Sequence, residues 1–188
     1  MNSKSSNAIK NNKNLENKIM RDKIYTPSDV AKDCFNKIKY HLTLDDILYE
    51  PFYGKGAFYN EFIDYERHYT EIDMGLDFFE IDDDIEMTYI ITNPPYSIFS
   101  EVLDKLFLLK NLKGFGFLVN NLTMTPPRLK KIEDAGYYPS DLYIFKINSW
   151  FGYQNFWFFK KEKCLTKITY KRIQYKEKPS QYKEKPSQ

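Results

Sequence analysis

The chain is poor in the residues that build metal centres and disulfide frameworks. It has two cysteines and two histidines in 188 residues. Cys34 and Cys164 stand far apart in the chain, and neither lies at metal-ligand spacing from the other or from His41 or His68. This excludes a zinc finger and a stapled secreted scaffold; the two cysteines read as free thiols in a reducing compartment, with no metal site. No apolar run approaches the length that spans a bilayer, and the N-terminus lacks a hydrophobic signal segment. A soluble, intracellular protein without a membrane partner is expected. A charge excess of either sign is also missing, since 28 Lys/Arg face 26 Asp/Glu. The balance is uneven along the chain: residues 1–23 carry six basic residues against two acids, 160–188 ten against three, and the stretch between them 12 against 21. An acidic centre with basic ends does not describe a strong stand-alone DNA binder. The basic ends either attract phosphates non-specifically or keep polar tails in solution.

What the chain has in quantity is aromatic residues, 16 Tyr and 15 Phe, enough with its aliphatics to bury one core. The ends look unstructured. Residues 1–23 are rich in Lys, Asn and Ser, and 171–188 hold a polar heptad, Tyr175–Gln181, repeated at once as Tyr182–Gln188. One domain over 24–170 is expected between them.

The most informative residues are Asn93-Pro94-Pro95-Tyr96, after the apolar run Tyr89–Thr92. Open α/β sheets bind ligands at the carboxyl ends of their strands, where this motif should sit. The Asn93 side-chain oxygen and the Pro94 carbonyl can both accept hydrogen bonds from one NH2 group. Two prolines fix the turn that aims them, and Tyr96 can stack on a planar ring or serve as a core aromatic. A second constellation, Glu50-Pro51-Phe52-Tyr53-Gly54-Lys55-Gly56-Ala57-Phe58, follows the short apolar strand Ile47–Tyr49. Its glycines suit a tight turn that lets backbone approach a ligand. It lacks both the third glycine of a dinucleotide fingerprint and a phosphate-loop lysine. Glu71 and Asp73, at the next strand's end, can hold ribose hydroxyls. Asp77-Phe78 offers an acceptor beside an aromatic face for an adenine.

The order of these motifs resembles the class I S-adenosylmethionine-dependent adenine-N6 methyltransferases. Glu50-Pro51-x-x-Gly54-x-Gly56-x-Phe58 is similar to the family's D-P-x-x-G-x-G-x-F loop, with Glu in place of Asp, and Asn93–Tyr96 matches its catalytic N-P-P-Y. Tyr25-Thr26-Pro27 resembles the segment that precedes the cofactor loop in members with gamma-type motif order; small phage and mobile-element members look alike. The resemblance spans about residues 24–161. It implies a Rossmann-like α/β methyltransferase sandwich, mostly parallel with an antiparallel last strand. It also implies S-adenosylmethionine as cofactor, held by Tyr25, Thr26, Pro27, Glu50, Pro51, Gly54, Gly56, Phe58, Glu71, Asp77 and Phe78. Asn93, Pro94, Pro95 and Tyr96 would be catalytic, and the acceptor the N6 amine of adenine in DNA. Two alternatives stay open: the same chemistry on RNA or a protein glutamine amide, and a non-catalytic module binding nucleic acid or protein.

Periodicity predicts helices at about 27–40, from 56, at 97–111 and at 126–134, and strands at 46–50, 68–72, 88–92, 114–119, 142–147 and 156–159, with an extended piece near 77–79. The last two strands are too closely linked for a crossover helix and should be antiparallel. Residues 73–86 are too short for a helix plus a strand, so one peripheral helix should be missing. Asn120–Lys131 and the loop Asn148–Gln154, with Trp150, Phe151 and Tyr153, either touch the acceptor or are ordinary surface and core. No insertion is large enough for a target-recognition domain, so duplex specificity requires a partner, a dimer or loose sequence preference.

Overall fold

The computed structural model describes residues 24–171. The expected tails at 1–23 and 171–188 lie outside that range except for Lys171. Its backbone N–H donates to the Ile144 carbonyl at 2.9 Å and its Nζ pairs with Asp33 at 2.8 Å.

Strands β1 (Ile47–Glu50), β2 (Glu66–Tyr69), β3 (Tyr89–Thr92), β4 (Gly114–Asn120), β5 (Tyr138–Phe145), β6 (Gln154–Lys160) and β7 (Lys167–Tyr170) form one sheet, in the order β2-β1-β3-β4-β6-β5-β7. The first four are parallel neighbours. β6 runs antiparallel to both β4 and β5, as the short link between the last two predicted strands requires. β7 pairs parallel with β5 at the outer edge.

The α-helices among the described residues are α1 (Ser28–Ile38), α2 (Phe99–Leu108) and α3 (Pro126–Asp134). Because side chains alternate across a strand, the sheet divides its apolar residues between two cores. On one face Val30, Ala31, Cys34, Phe35 and Ile38 of α1 join the buried cluster that includes Tyr143, Phe145, Phe156 and Phe158. On the other, Val102, Leu103 and Leu106 of α2 and Ile132 of α3 share a cluster with Phe115, Phe117, Val119 and Phe159. Continuous apolar runs such as Tyr89-Ile90-Ile91 are buried on both sides, as expected of parallel strands covered by helices.

Three sequence-based expectations need correction, and one strand was not foreseen. The helix expected from residue 56 is only a 3-10 turn, Tyr59–Phe62. The stretch is too short to repay the cost of helix nucleation. The strand expected at 68–72 lies at Glu66–Tyr69, because an edge strand exposed on alternate residues has no apolar run to mark it. The extended piece near 77–79 is a 3-10 turn, Phe78–Glu80, started by Asp77, whose Oδ1 accepts the Phe79 N–H at 2.9 Å. β7 carries no sequence signal: its residues are mostly exposed, and their pairing with β5 defines them as a strand. The expected shortening holds, since residues 73–86 contain turns but no α-helix or β-strand.

Candidate functional site

β1 has β2 on one side and β3 on the other, so the chain leaves it in opposite directions and opens a crevice beyond the carboxyl ends. A cleft of about 230 Å³ lies there, lined from the connections after β1, β2 and β3. It gathers residues far apart in sequence: Ile24 and Tyr25, Pro51, Phe52 and Gly54, Glu71 to Met74, Leu76 to Phe78, and Asn93 to Tyr96.

The turn after β1 is shaped by two left-handed glycines, Gly54 at φ +55° and Gly56 at φ +70°. A Cβ on Gly54 would stand 3.2 Å from the Tyr25 ring, and one on Gly56 2.7 Å from the Tyr53 ring. Gly54 therefore keeps the cleft open, while Gly56 makes room for a tyrosine of its own turn. The Gly54 N–H donates to Glu71 Oε2 at 2.6 Å, which ties the β1 turn to the end of β2. Glu71 Oε1 accepts the Asp73 N–H at 3.4 Å and starts the 3-10 turn Ile72–Met74. Glu71 and Asp77 thus each support a backbone turn while lining the cleft.

Glu50 has a different place. It is 2% exposed beneath the glycine turn, where Oε2 accepts the Tyr59 N–H at 2.7 Å. Burial pushes its carboxyl well above the usual range, only partly offset by the N–H groups of Tyr59 and Phe58. Phe58 is fully buried and stacks on Phe156 with ring centroids 6.0 Å apart. Thr26 and Pro27 open α1, the Pro27 carbonyl accepting the N–H groups of Val30 and Ala31 at 3.1 Å. Of the residues the resemblance assigns to a cofactor, Tyr25, Pro51, Gly54, Glu71, Asp77 and Phe78 line the cleft; Thr26, Pro27, Glu50, Gly56 and Phe58 are not in its lining, because they cap α1, pack in the core or support the glycine turn.

All four residues of the Asn93–Tyr96 motif are in the lining. Asn93 Nδ2 donates to the Ile24 carbonyl at 3.2 Å. A carbonyl only accepts, so this bond decides which end of the amide is the NH2. The other end, Oδ1, is buried and has no hydrogen-bond partner among the described residues. An unpaired buried acceptor costs about 1–3 kcal/mol, and its presence on a cleft-lining side chain marks where a donor belongs.

Residues the sequence reading did not single out are Ile24, Phe52, Met74 and Leu76. Ile24 acts through its backbone carbonyl, which no sequence pattern marks. Phe52 packs edge-on to Phe78, at 5.6 Å between centroids, and its adjacency to Pro51 was an available signal. Met74 and Leu76 are large apolar side chains left 56% and 46% exposed at the cleft mouth. The two segments considered for acceptor contact lie at the same end of the sheet, with Asn120 paired to Gln154. Phe151 is 81% and Tyr153 60% exposed there, whereas Trp150 is buried. Of the basic residues nearby, Arg128 Nη1 donates to the Thr123 carbonyl, and Lys130 and Lys131 pair with Asp134 and Asp104.

No group of metal-ligating side chains occurs among the described residues, and no helix among them is long and apolar enough to cross a membrane. No known protein-family model and no curated protein matches the chain. Solved structures do. Burkholderia thailandensis 1,6-didemethyltoxoflavin-N1-methyltransferase, solved with S-adenosylhomocysteine, aligns at TM-score 0.58 and 12% identity over 87% of this chain and 92% of its own. The 23S rRNA methyltransferase ErmE aligns at TM-score 0.55 and 12% identity, over 73% and 69% respectively. A chain of the E. cuniculi Mtq2–Trm112 complex, which methylates the termination factor eRF1, aligns at 0.50 and 14%, over 76% and 99%. The shared architecture is the Rossmann-like methyltransferase fold, with an antiparallel pair near the end of a mostly parallel sheet.

Proposed function

We propose that the chain is an S-adenosylmethionine-dependent methyltransferase whose acceptor is the exocyclic N6 amine of adenine in DNA. The observation that carries this reading is the buried, unpartnered Oδ1 of Asn93 on the wall of the cleft. An NH2 group supplies the donor it lacks, and the Pro94 carbonyl on the same turn offers a second acceptor.

The lining also fits the cofactor's chemistry. Glu71 and Asp73 suit ribose hydroxyls, Asp77 an adenine amine, and Phe78 with Phe52 an adenine face. The cleft is lined by three carboxylates and by no lysine or arginine, which favours a sulfonium over a pyrophosphate. S-adenosylmethionine supplies an electrophilic methyl group when bound.

The chain's own part is positioning. Asn93 Oδ1 accepts one N–H of the acceptor amine, which draws the nitrogen lone pair out of conjugation with the ring. Ile24 holds the Asn93 amide in the rotamer that allows this. Tyr96 supplies a stacking surface. No covalent enzyme intermediate is required, since a held near-attack geometry can remove roughly 7–11 kcal/mol of barrier. In duplex DNA the base must leave the stack, at a cost of a few kcal/mol.

The test is transfer of labelled methyl to unmethylated DNA, total RNA and protein, followed by nucleoside and amino-acid analysis. N6-methyladenine in DNA is the expected product. Label in RNA or on a glutamine amide would keep the transferase and move the acceptor. No transfer together with no calorimetric cofactor binding would overturn the reading in favour of a binding module.

A further inference from the structure

The cleft lining combines three carboxylates and the Asn93 amide with aromatic and aliphatic groups, and among the described residues it includes no lysine or arginine, so its walls offer a phosphate backbone no counter-charge. A nucleic-acid acceptor needs its counter-charge elsewhere on the molecule. The opposite end of the same strands provides it. Where β3 and β4 begin and β6 ends, a groove of about 280 Å³ is lined by His41, Tyr89, Lys113, Lys160, Lys161 and Glu162. The connection that leaves it toward β7 adds Lys163 and Lys167.

These lysines are not all alike. Lys113 and Lys160 are paired, with Asp46 at 2.7 Å and Glu162 at 2.9 Å. Lys161, Lys163 and Lys167 are exposed and have no carboxylate partner among the described residues. Each instead sits over a tyrosine face: Lys161 over Tyr137 at 5.6 Å, Lys163 over Tyr138 at 5.4 Å and Lys167 over Tyr40 at 4.8 Å. A ring under an ammonium holds it in place without neutralising it. Of the acids at this end, Glu162 is exposed and pairs with Lys160, while Asp46 and Asp141 are turned inward. Asp46 and Asp141 are 2% and 5% exposed, and Asp141 accepts the Tyr40 hydroxyl and bonds His41 Nε2, both at 2.6 Å. Positioned, uncancelled ammonium groups interleaved with tyrosines are the surface a nucleic-acid backbone fits.

We propose that this rim binds the phosphate backbone of the nucleic acid whose base enters the cleft. The proposal rests on nucleic acid being the acceptor class. Tyr89, beside the groove, and Asn93, in the cleft, are four residues apart along β3, about 13 Å of strand. A single nucleotide is too short to reach both, so a long strand should bind more tightly than a short oligonucleotide.

The experiment uses the full chain and fluorescence anisotropy of labelled single-stranded DNA, a 24-mer and a trimer, across a salt series. The rim variant is Lys161→Glu/Lys163→Glu/Lys167→Glu. Its control, Lys32→Glu/Lys110→Glu, reverses charge at two other exposed lysines and keeps the same basic ends. The rim variant should lose at least about tenfold in 24-mer affinity, and its slope of log affinity against log salt should fall by about two, the value for three lost single-strand phosphate contacts. The control should lose less than about threefold. The Lys→Gln version of the rim variant, which removes charge without reversing it, should lose affinity in the same direction and guards against a folding defect. Equal losses in rim and control variants would overturn the proposal, as would an unchanged slope. Trimer binding as tight as 24-mer binding would make the groove a site for a small phosphate ligand and overturn it too. Because the readout is binding, a rim-dependent affinity without any methyl transfer would leave the rim standing and remove the proposed reaction; the reverse result would do the opposite.

Discussion

At the carboxyl ends of β1, β2 and β3 the charged side chains lining the cleft among the described residues are Glu71, Asp73 and Asp77; at the amino ends of β3 and β4 the groove is lined by three lysines, a histidine, Tyr89 and a single acid, Glu162. The contrast goes beyond sign. In the cleft, recognition groups are fixed by backbone: Glu71 and Asp77 cap turns, the Gly54 N–H is tied to Glu71, and the Asn93 amide is held by a main-chain carbonyl. On the rim, the proposed recognition groups are exposed ammonium ends held over aromatic rings. The first arrangement discriminates by geometry and tolerates little change. The second attracts by charge and should lose function gradually, one contact at a time.

Asn93→Ala breaks the cleft side of this contrast most completely. Methyl transfer should fall by about 100-fold or more, the scale for removing one preorganised polar contact to the reacting group. Cofactor affinity measured by calorimetry should stay within about twofold. Full activity in this variant would remove Asn93 from the reaction. Gly54→Val should come next, because its Cβ meets the Tyr25 ring and the backbone there is left-handed. Such a conformation costs a β-branched residue at least about 1–2 kcal/mol, and cofactor affinity should drop by about tenfold or more. Tyr25→Ala should have a smaller effect, about three- to tenfold on transfer. It removes the ring that bridges Gly54 and Lys55 and so loosens the segment whose Ile24 carbonyl orients Asn93. Tyr25→Phe, which keeps the ring, should restore most of it.

The mildest expected effect concerns stability. Burial raises the Glu50 carboxyl above its unfolded value. The folded chain therefore holds a proton that the unfolded chain has already released, and stability declines as pH rises through that window. Thermal melts between about pH 5 and pH 8 should show a steeper decline for the wild type than for Glu50→Gln, which has no proton to lose. Parallel curves would mean that Glu50 is ionised at little cost in the fold.

The parallel sheet was readable because strands buried on both faces leave continuous apolar runs, as at Tyr89–Thr92 and Gly114–Val119, and α3 because Pro126 and Gly136 bracket it. β2 and β7 were misplaced or missed for the opposite reason. They sit at the two edges, where solvent exposure removes the pattern and only hydrogen-bonding partners define a strand. The same distinction runs through the cleft. Asn93–Tyr96 and Gly54 announce themselves because their chemistry is local to a few consecutive residues. Glu50 looked like a ligand group in sequence, and its position beneath the turn depends on how the segment after Gly56 folds back over β1.

The chain's sequence alone determined that the fold is α/β, that the Asn93–Tyr96 turn follows a central strand, and that a glycine turn follows another. Those features depend on side-chain identity and on spacing within a few residues. Tertiary structure decided what no local pattern contains: that the Ile24 carbonyl orients Asn93 from 69 residues away, that Glu71 ties the β1 turn to β2, and that three carboxylates gather in one cleft while three lysines gather in a groove at the other end of the sheet. Each of these depends on which distant segments the sheet order places side by side, and that order is set by packing of the whole core.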